Sequence, residues 1–396
     1  MPSIKNKFIV TGFTILLLIA ATSAFAQAPT TPTSREYPYL YKSTRAMGMG
    51  GAYTAVGGTV DSIFYNPSGI SSMPKDQGWE FDLLNLSAEA GKNTETFVNH
   101  LQDAFDTGDL NGDGSTDDDQ LRATNDVLAA YRGKNLHARV SDFTAIGKNF
   151  EKVSFGMGAV GQVRLDAMAH QGFGPEGLLE MNADATYGGI GALSIAFTDN
   201  LAIGVNVKAL KREAIVHDFT ARELVDNQDN LDNYITDNLK KTGSAVGFDA
   251  GLTYKFAQGS WLKPSVGLSV LNIGDLDFGE AGTIPMTVNT GLAFNPTIPF
   301  FRSLIVGVDY VDVLNNYTQD KDFKKRLRMG AELQLFDKLL MGLKVRGGLY
   351  QGNPTYGLDL RLMFIDLQYV AYTEEIGAYA GQEKDKRQLV TLNIGW

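Results

Sequence analysis

Cysteine is absent from the 396-residue sequence, so disulfide bonds and thiolate metal sites are excluded. Beyond residue 26 no run of about 18 apolar residues occurs, and the sequence therefore predicts no transmembrane helix. Basic residues are in deficit, with 35 Lys and Arg against 45 Asp and Glu and a net charge of −10. That balance argues against nucleic acid as a partner, because phosphates repel an acidic chain.

Enzyme signatures are also scarce. The sequence has four histidines, none of them in HExxH spacing, and it contains no GxSxG motif. Residues 156–161 match GxGxxG, but they lie inside a predicted strand rather than between a strand and a helix, so we interpret them as strand glycines. We predict that the chain is not an enzyme. A barrel hydrolase with scattered triad residues is the minor alternative.

The N-terminus has the three-part layout of a secretory signal peptide, which we assign to residues 1–26. Lys5 and Lys7 precede a mostly apolar run from Phe8 to Ala21, and Ala24-Phe25-Ala26 follows as a cleavage site. An uncleaved membrane anchor is the alternative, although the apolar run is short for a membrane span. No cysteine follows the run, so a lipoprotein anchor is excluded.

From about residue 79 onward, apolar and polar residues alternate in segments typical of β-strands. Period two places alternate side chains on opposite faces of a sheet. The chain is also rich in glycine (43), phenylalanine (22) and tyrosine (16), as barrel strands are. We predict fourteen strands, at residues 79–90, 136–147, 152–166, 183–198, 200–215, 243–257, 261–273, 285–295, 302–315, 325–336, 339–350, 354–362, 364–375 and 386–396.

The connections between these strands alternate in length, with one exception. Short turns alternate with longer loops, of which residues 91–135 and 216–242 are the largest. Bacterial outer-membrane barrels have short periplasmic turns, long outer loops and an even number of strands. The sequence therefore predicts a 14-stranded antiparallel transmembrane β-barrel over residues 78–396, located in a bacterial outer membrane with both insertions outside.

The faces of the strands agree with a lipid-covered exterior. Within 339–350 one face is almost wholly apolar, whereas the other carries Lys344 and Arg346. Strand 302–315 places Asp309 opposite an apolar face in the same way. A basic side chain at the middle of the lipid layer costs about 2–4 kcal/mol and an acidic one somewhat less, so we expect all three charges to point into the lumen.

The last predicted strand carries a membrane-insertion signal. Val390, Leu392, Ile394 and Trp396 occupy one face, and the final residue is aromatic. Such an ending resembles the signal that barrel-assembly machinery recognises, so that machinery is an expected partner. A soluble edge strand that ends in tryptophan is the alternative.

Residues 44–70 resemble the N-terminal segment of the FadL-like superfamily, which includes PorV and TraF-like proteins. The matching pieces are Arg45–Ala52, which reads RAMGMGGA, and Asn66–Gly69, which reads NPSG. Ser68 stands where many relatives have alanine. The resemblance covers residues 44–90 and roughly 260–396.

The resemblance implies a fourteen-stranded barrel with an N-terminal hatch folded inside it, within an extension at residues 27–77. Proline restricts itself and the residue before it, and glycine permits close approach to a wall. We expect the hatch or ligand site to include Arg45, Gly48, Gly50, Gly51, Asn66 and Pro67. Whether this segment is a permanent seal or a movable hatch stays open.

The same resemblance implies two alternative functions. In the transporters of the superfamily, hydrophobic or amphipathic small molecules cross the outer membrane, and this is the leading expectation. The alternative is a PorV-like interaction protein that anchors or shuttles secreted proteins through its loops, which the two large insertions favour.

Residues 109–120 form a DxNxDG loop that resembles a calcium site. The loop offers oxygens at positions 1, 3, 5 and 9 and a glycine at position 6. Position 12 is Gln120, so the usual bidentate carboxylate is missing and any affinity should be weak. A solvated acidic turn is the alternative. The candidate Ca²⁺ ligands are Asp109, Asn111, Asp113, Ser115, Asp117 and Asp119.

Two further loop features suggest surfaces for partners. Residues 219–240 can form one amphipathic helix, either packed on the barrel rim or available for docking. A basic cluster near the outer end of a strand is a candidate site for lipopolysaccharide phosphates, with an ordinary solvated rim as the alternative. That cluster consists of Lys321, Lys324, Lys325, Arg326 and Arg328.

Overall fold

The computed structural model describes residues 36–76, 78–108, 116–171, 177–228, 231–299, 301–338 and 340–396. The predicted signal peptide lies outside these residues. The strands are β1 Trp79–Gly91, β2 Asn135–Asn149, β3 Val153–Gln171, β4 Gly177–Ala196, β5 Leu201–Thr220, β6 Lys241–Lys255, β7 Pro264–Leu271, β8 Leu276–Asp277, β9 Thr283–Ile284, β10 Thr287–Phe294, β11 Ser303–Tyr310, β12 Leu327–Lys338, β13 Met341–Tyr350, β14 Asn353–Leu362, β15 Ile365–Glu375 and β16 Lys384–Gly395.

Fourteen of these strands form one closed antiparallel barrel. Each neighbouring pair follows the chain order, and β1 closes the barrel by pairing with β16, from Leu84 opposite Ile394 to Gly91 opposite Arg387. Every predicted strand is confirmed. In the described part of the chain, the sequence pattern missed β8 and β9, which pair as a hairpin of two-residue strands in the loop between β7 and β10. Segments so short have no measurable periodicity.

The two faces of the wall differ as the alternation predicts. On β16 the outward residues Val390 and Leu392 are exposed to the surroundings of the barrel, whereas Leu389 and Thr391 are buried inside. Asp309, Arg346 and Lys344 line the lumen, which confirms the expected inward direction of these charges. The outer surface is therefore an apolar band suited to lipid.

The barrel wall is uneven in height. Strands β3, β4 and β5 contain 19 to 20 residues each, whereas β7, β10 and β11 contain 8. The extra residues extend the tall strands beyond the end that the long loops join, which we call the outer end. The opposite end, with the short turns, is the periplasmic end.

A helical cap lies on the tall part of the wall. It comprises α2 (Thr94–Phe105), α3 (Thr116–Ala130), α4 (Ala221–Asp226) and α5 (Leu231–Tyr234), which continues as a π-turn. Its apolar core joins helix residues to strand residues. None of the described helices has the length and apolarity that a membrane crossing requires. The larger buried members of this core are Phe97, Leu128, Tyr131, Leu136, Leu179, Phe219 and Leu224.

The single helix expected over residues 219–240 is wrong. Thr220 pairs with Leu178 as the last residue of β5, and the helix begins only after it. Thr220 and Glu223 form a capping box, in which Glu223 N donates to Thr220 Oγ1 at 3.1 Å and Thr220 N donates to Glu223 Oε2 at 2.9 Å. The sheet ladder therefore holds the first residues of the segment extended, and two short helices follow.

Residues 36–73, which we call the inner segment, lie against the inward side chains of the wall. The segment contains α1 (Thr44–Gly48) and two 3₁₀ helices, Val60–Phe64 and Pro67–Ser72. Helix α1 contacts β13 to β16, and the second 3₁₀ helix contacts β2 to β6. A last short helix, α6 (Phe323–Arg326), precedes β12 at the outer end.

Candidate functional site

The backbone of the inner segment approaches the wall closely where both carry glycine. Gly50 has φ +65°, and a Cβ atom added to it would lie 2.3 Å from the carbonyl oxygen of Met329. A Cβ on Gly330 of β12 would lie 2.3 Å from the oxygen of Met49. Since real Cβ atoms do not come so close, neither position tolerates a side chain unless the backbone moves. Gly48 and Gly51 belong to the same contact, packed against β12 to β15.

Arg45 fastens α1 to β12. Its Nε donates to Glu332 Oε2 at 2.9 Å and its Nη2 donates to Glu332 Oε1 at 2.8 Å. The same guanidinium donates to the hydroxyl of Tyr53 at 2.9 Å. Glu332 also accepts from Arg346 Nε at 2.7 Å, so the inner segment and two wall strands share one carboxylate. Such paired, charge-assisted bonds fix geometry as well as adding energy.

Asn66 and Pro67 stand at the bend that the sequence indicated. Asn66 is extended and caps the 3₁₀ helix that Pro67 begins, with its Oδ1 accepting from Ser68 N at 3.1 Å. The Asn66 amide donates to the carbonyl oxygens of Thr54 at 2.7 Å and Leu252 at 3.2 Å. The bend is therefore tied both to the inner segment itself and to β6.

The carboxylate of Asp309 binds two backbone amides of the inner segment. Its Oδ2 accepts from Tyr53 N at 2.7 Å and from Thr54 N at 2.6 Å. The alternation of β11 predicted that Asp309 points inward, but nothing in the sequence identified the two amides that it meets. Contacts between residues so far apart in the chain depend on how the segment threads the lumen.

A charge cluster missed by the sequence analysis fills the outer part of the lumen. Glu36 of the inner segment forms ion pairs with Arg139 of β2 and Arg387 of β16, and it lies 3.4 Å from Arg164 Nη1 of β3. Lys42 Nζ lies 3.6 Å from the same carboxylate. Burial alone would raise the pKa of the Glu36 carboxyl, but the surrounding cations outweigh it and hold that pKa well below its ordinary range.

The spacing of Glu36, His137 and Asp166 is compatible with a metal ion, since one ligand atom of each lies within 4.8 Å of the others. The carboxylates of this trio are already engaged by basic side chains. His137 Nδ1 lies 2.7 Å from Asp166, and Arg387 Nη2 lies 3.6 Å from Asp166. These cations already balance the carboxylates, which leaves little electrostatic attraction for an added metal ion.

An outer cavity of about 190 Å³ lies between the inner segment, the tall strands and the loop that carries β8 and β9. Its lining mixes polar and apolar residues, and the charged ones are Arg164, Asp184, Arg212, Lys241 and Glu280. Arg164 Nε donates to Asp184 at 2.8 Å. Arg212 Nε and Gln162 Oε1 are buried and make no hydrogen bond within the described part of the chain. Apolar lining residues are Pro38, Ala214, Val216, Leu239, Ala281, Ile284 and Pro285.

A second, larger cavity opens at the periplasmic end. This vestibule measures about 700 Å³ and is lined by charged residues of β1 and β12 to β15 together with the inner segment. A third cavity of about 40 Å³ shares Pro38, Tyr39 and Pro285 with the outer cavity. The inner segment lines all three, and it lies between the outer cavity and the vestibule.

The structure describes only part of the predicted calcium loop, residues 109–120. Asp109, Asn111, Asp113 and Ser115 lie outside the described residues, while Asp117 and Asp119 are in the first turn of α3. Asp119 is buried and lies 3.2 Å from Arg122. Calcium binding here therefore stays a prediction.

The expected basic cluster at the outer rim is smaller than the sequence suggested. Lys325 and Arg328 are fully buried, because Lys325 pairs with Asp320 and donates to the oxygen of Gly377 at 2.6 Å. Lys321 and Lys324 are exposed. Binding of lipopolysaccharide phosphates stays a prediction for the remaining cations.

The residues of the predicted insertion signal lie on the outward face of β16. Trp396 N donates to Phe81 O at 3.0 Å, and the Trp396 ring packs at 5.0 Å from the Phe81 ring. Trp396 thus lies at the periplasmic edge of the seam between β1 and β16, where outer-membrane barrels carry a girdle of aromatic residues. Recognition by assembly machinery stays a prediction.

Comparison with known proteins identifies the fold. No family model matches the sequence, and no curated protein matches it. Among solved structures, the toluene transporter TbuX of Ralstonia pickettii is similar at 11% identity and TM-score 0.53, over 90% of this chain and 98% of that one. A TodX monoaromatic hydrocarbon channel carrying the deltaS2S3 mutation is similar at 9% identity and TM-score 0.50, over 89% and 98%. The chain thus has the fourteen-stranded fold of FadL-like outer-membrane transporters.

Proposed function

We propose that this protein is a FadL-like outer-membrane transporter that moves hydrophobic or amphipathic small molecules. The observation that supports it is the pair of cavities at opposite ends of the lumen, with the inner segment between them. A ligand can occupy the outer cavity but cannot reach the vestibule while that segment is in place. In this proposal the inner segment is a movable hatch.

The outer cavity suits a small ligand. A cavity of about 150 Å³ lined by apolar side chains is large enough to bind benzene, and this one measures about 190 Å³. Val216, Leu239 and Ile284 provide apolar walls. The structurally similar proteins are a toluene transporter and a monoaromatic hydrocarbon channel, which supports a ligand of about one ring.

An interaction protein that anchors or shuttles secreted proteins is the less favoured alternative. The cap would be its natural docking surface, but Phe97, Leu128 and Tyr131 are buried against the wall. The comparisons add no support for it, because the similar structures are a transporter and a channel.

We also propose that the protein has no enzymatic activity. Among the described lumen residues, the buried His137 is the strongest candidate for a general base. Its Nε2 lies 3.0 Å from Glu89 and its Nδ1 lies 2.7 Å from Asp166. Both ring nitrogens therefore face carboxylates rather than a nucleophilic side chain.

Disulfide locking tests the hatch, since the natural chain has no cysteine to interfere. The hydroxyls of Thr44 in the inner segment and Thr391 in β16 form a short hydrogen bond. A variant carrying Thr44→Cys and Thr391→Cys should therefore cross-link the segment to the wall. We expect toluene uptake by cells or liposomes to stop on oxidation and to return on reduction.

The matched control uses the same wall position. Ser87 Oγ lies 2.7 Å from Thr391 Oγ1, and both residues belong to the wall. The pair Ser87→Cys and Thr391→Cys should form a disulfide and leave uptake unchanged. Full uptake by the completely oxidised Thr44–Thr391 variant would show that the hatch does not gate transport.

A further inference from the structure

Three arginines of the barrel wall converge on one carboxylate, which comes from the inner segment and not from the wall. Arg139, Arg164 and Arg387 come from β2, β3 and β16, whereas Glu36 belongs to the inner segment. The Glu36 side chain is only 1% exposed. Guanidinium groups recognise carboxylates through planar paired donors, so the wall presents a carboxylate-binding site that the chain fills with its own residue.

The three arginines differ in how much they depend on Glu36. Arg164 also binds Asp184, and Arg387 Nε donates to Asp385 at 2.7 Å. Among the described acidic residues, Arg139 has only Glu89 in addition, with 4.0 Å between the nearest charged atoms. Its Nε and Nη1 make no hydrogen bond within the described residues. Removing the Glu36 carboxylate would leave Arg139 buried without close compensation.

Arg164 connects this site to the outer cavity. The same guanidinium faces Glu36 on one side and lines the cavity on the other. Within the cavity it stands beside Arg212, whose Nη2 lies 3.3 Å from Asp184 and whose Nε lacks a hydrogen-bond acceptor among the described residues. A ligand with a carboxylate would satisfy Arg212 and compete with Glu36 for Arg164, while its ring contacts the apolar walls.

We propose that Glu36 is a built-in ligand of this arginine site and that a small aromatic monocarboxylate, bound in the outer cavity, displaces it. The inference rests on the proposed transport function and names a ligand class for it. Displacement removes a charged anchor at the outer end of the inner segment, so ligand binding favours hatch release. The low pKa of Glu36 keeps the carboxylate charged, and so exchangeable for another anion, at neutral pH.

Chemical rescue tests the site directly. The Glu36→Ala variant should be less stable than the natural protein, and benzoate or acetate should raise its melting temperature in a concentration-dependent way. Benzamide has nearly the same shape without the charge, and it should have no such effect. No response to either carboxylate, or an equal response to benzamide, would overturn the proposal.

A matched variant controls for general effects of removing a carboxylate. Glu213 also lies at the outer end, on β5, but it pairs with Lys211 at 3.4 Å on the outer surface. Glu213→Ala should not respond to benzoate. If Glu36→Ala does not fold, Glu36→Gln keeps the shape and removes the charge, and benzoate should bind it at least tenfold more tightly than the natural protein. Equal affinity for the two proteins would contradict displacement.

The outcomes separate this inference from the proposed function. Toluene uptake without benzoate binding leaves transport standing and refutes the carboxylate ligand. Rescue of Glu36→Ala without uptake of either compound supports the arginine site and refutes transport. In binding assays, Arg212→Met should weaken benzoate at least tenfold and leave toluene unchanged, and equal losses for both would contradict the assigned role of the guanidinium.

Discussion

The guanidinium of Arg45 and the carboxylate of Glu332 face each other with two hydrogen bonds, at 2.9 and 2.8 Å, between α1 and β12. Arg45 is the first charged residue of the family-like segment, and Glu332 lies 287 positions further along the chain. The pair therefore joins two parts of the sequence that resemble the same superfamily, and it bonds the inner segment directly to the wall.

Removing the charge of Glu332 should loosen the hatch. Glu332→Gln leaves Arg45 and Arg346 without their shared anion, and the loss of one partner from a buried pair costs about 3–5 kcal/mol. We expect a higher open probability in planar-bilayer conductance, with the barrel still resistant to unfolding in detergent. Asp337→Asn is the control, since Asp337 pairs with the half-exposed Arg361 at the periplasmic end. Equal conductance in both variants would contradict the role of the pair.

A side chain at Gly50 should displace the inner segment. Alanine at a left-handed position costs about 1–2 kcal/mol, and here its Cβ also meets the wall backbone at 2.3 Å. We expect Gly50→Ala to lower the thermal stability and to expose Arg45 to trypsin. Gly191→Ala on β4, where a Cβ has open space, should change neither property. Normal protease resistance of the Gly50 variant would show that the contact is adaptable.

Calcium should bind the outer loop weakly. Extracellular loops of this kind have dissociation constants on the order of 10⁻⁴–10⁻³ M, and the missing carboxylate at position 12 places this one in that range. Calorimetry on the full-length protein should show heat that disappears in the double variant Asp109→Asn, Asp113→Asn. Asp126→Asn, on the exposed side of α3, should bind as the natural protein does. No calcium-dependent heat would refute the site.

Asp322 should tie two outer loops together in a pH-dependent way. Its carboxylate accepts from Ala380 N at 2.9 Å and Lys324 N at 2.8 Å, and these bonds lower its pKa. A lowered pKa means that the stabilisation is present above the unfolded value of about 3.9 and is lost as pH falls through the folded value. The amide resonance of Ala380 should titrate with a midpoint below about 3.9. Asp322→Asn should lack this step, and a midpoint above 3.9 would contradict the assignment.

Removing exposed cations from the outer rim should reduce bound lipopolysaccharide. Lys321 and Lys324 remain available there, and cations beside anionic headgroups are each worth about 1 kcal/mol. We expect the double variant Lys321→Gln, Lys324→Gln to retain less lipopolysaccharide after purification. The exposed lysine Lys263 lies at the periplasmic end, so Lys263→Gln is the control. Unchanged retention would leave the cluster as an ordinary solvated rim.

The sequence predicted the strands of the barrel wall far better than the contacts inside the lumen. Alternation depends only on which neighbours face lipid, so it revealed all fourteen barrel strands and the inward direction of Asp309 and Arg346. It marked Arg139, Arg164 and Arg387 no more strongly than other inward residues. Their convergence on Glu36 depends on barrel closure and on the path of the inner segment, and neither is encoded within a short window of sequence.

The unequal strand lengths have a consequence for how a ligand approaches. A strand needs about 9–11 residues to cross a bilayer, so the eight-residue strands β7, β10 and β11 are too short to extend beyond the membrane surface. On the other side, β3 to β5 continue well beyond that level and carry the cap. The outer rim of the barrel wall is therefore slanted. Molecules dissolved among the outer lipids meet the low part of the wall at β7, β10 and β11, whereas molecules in the water above the barrel meet the helical cap.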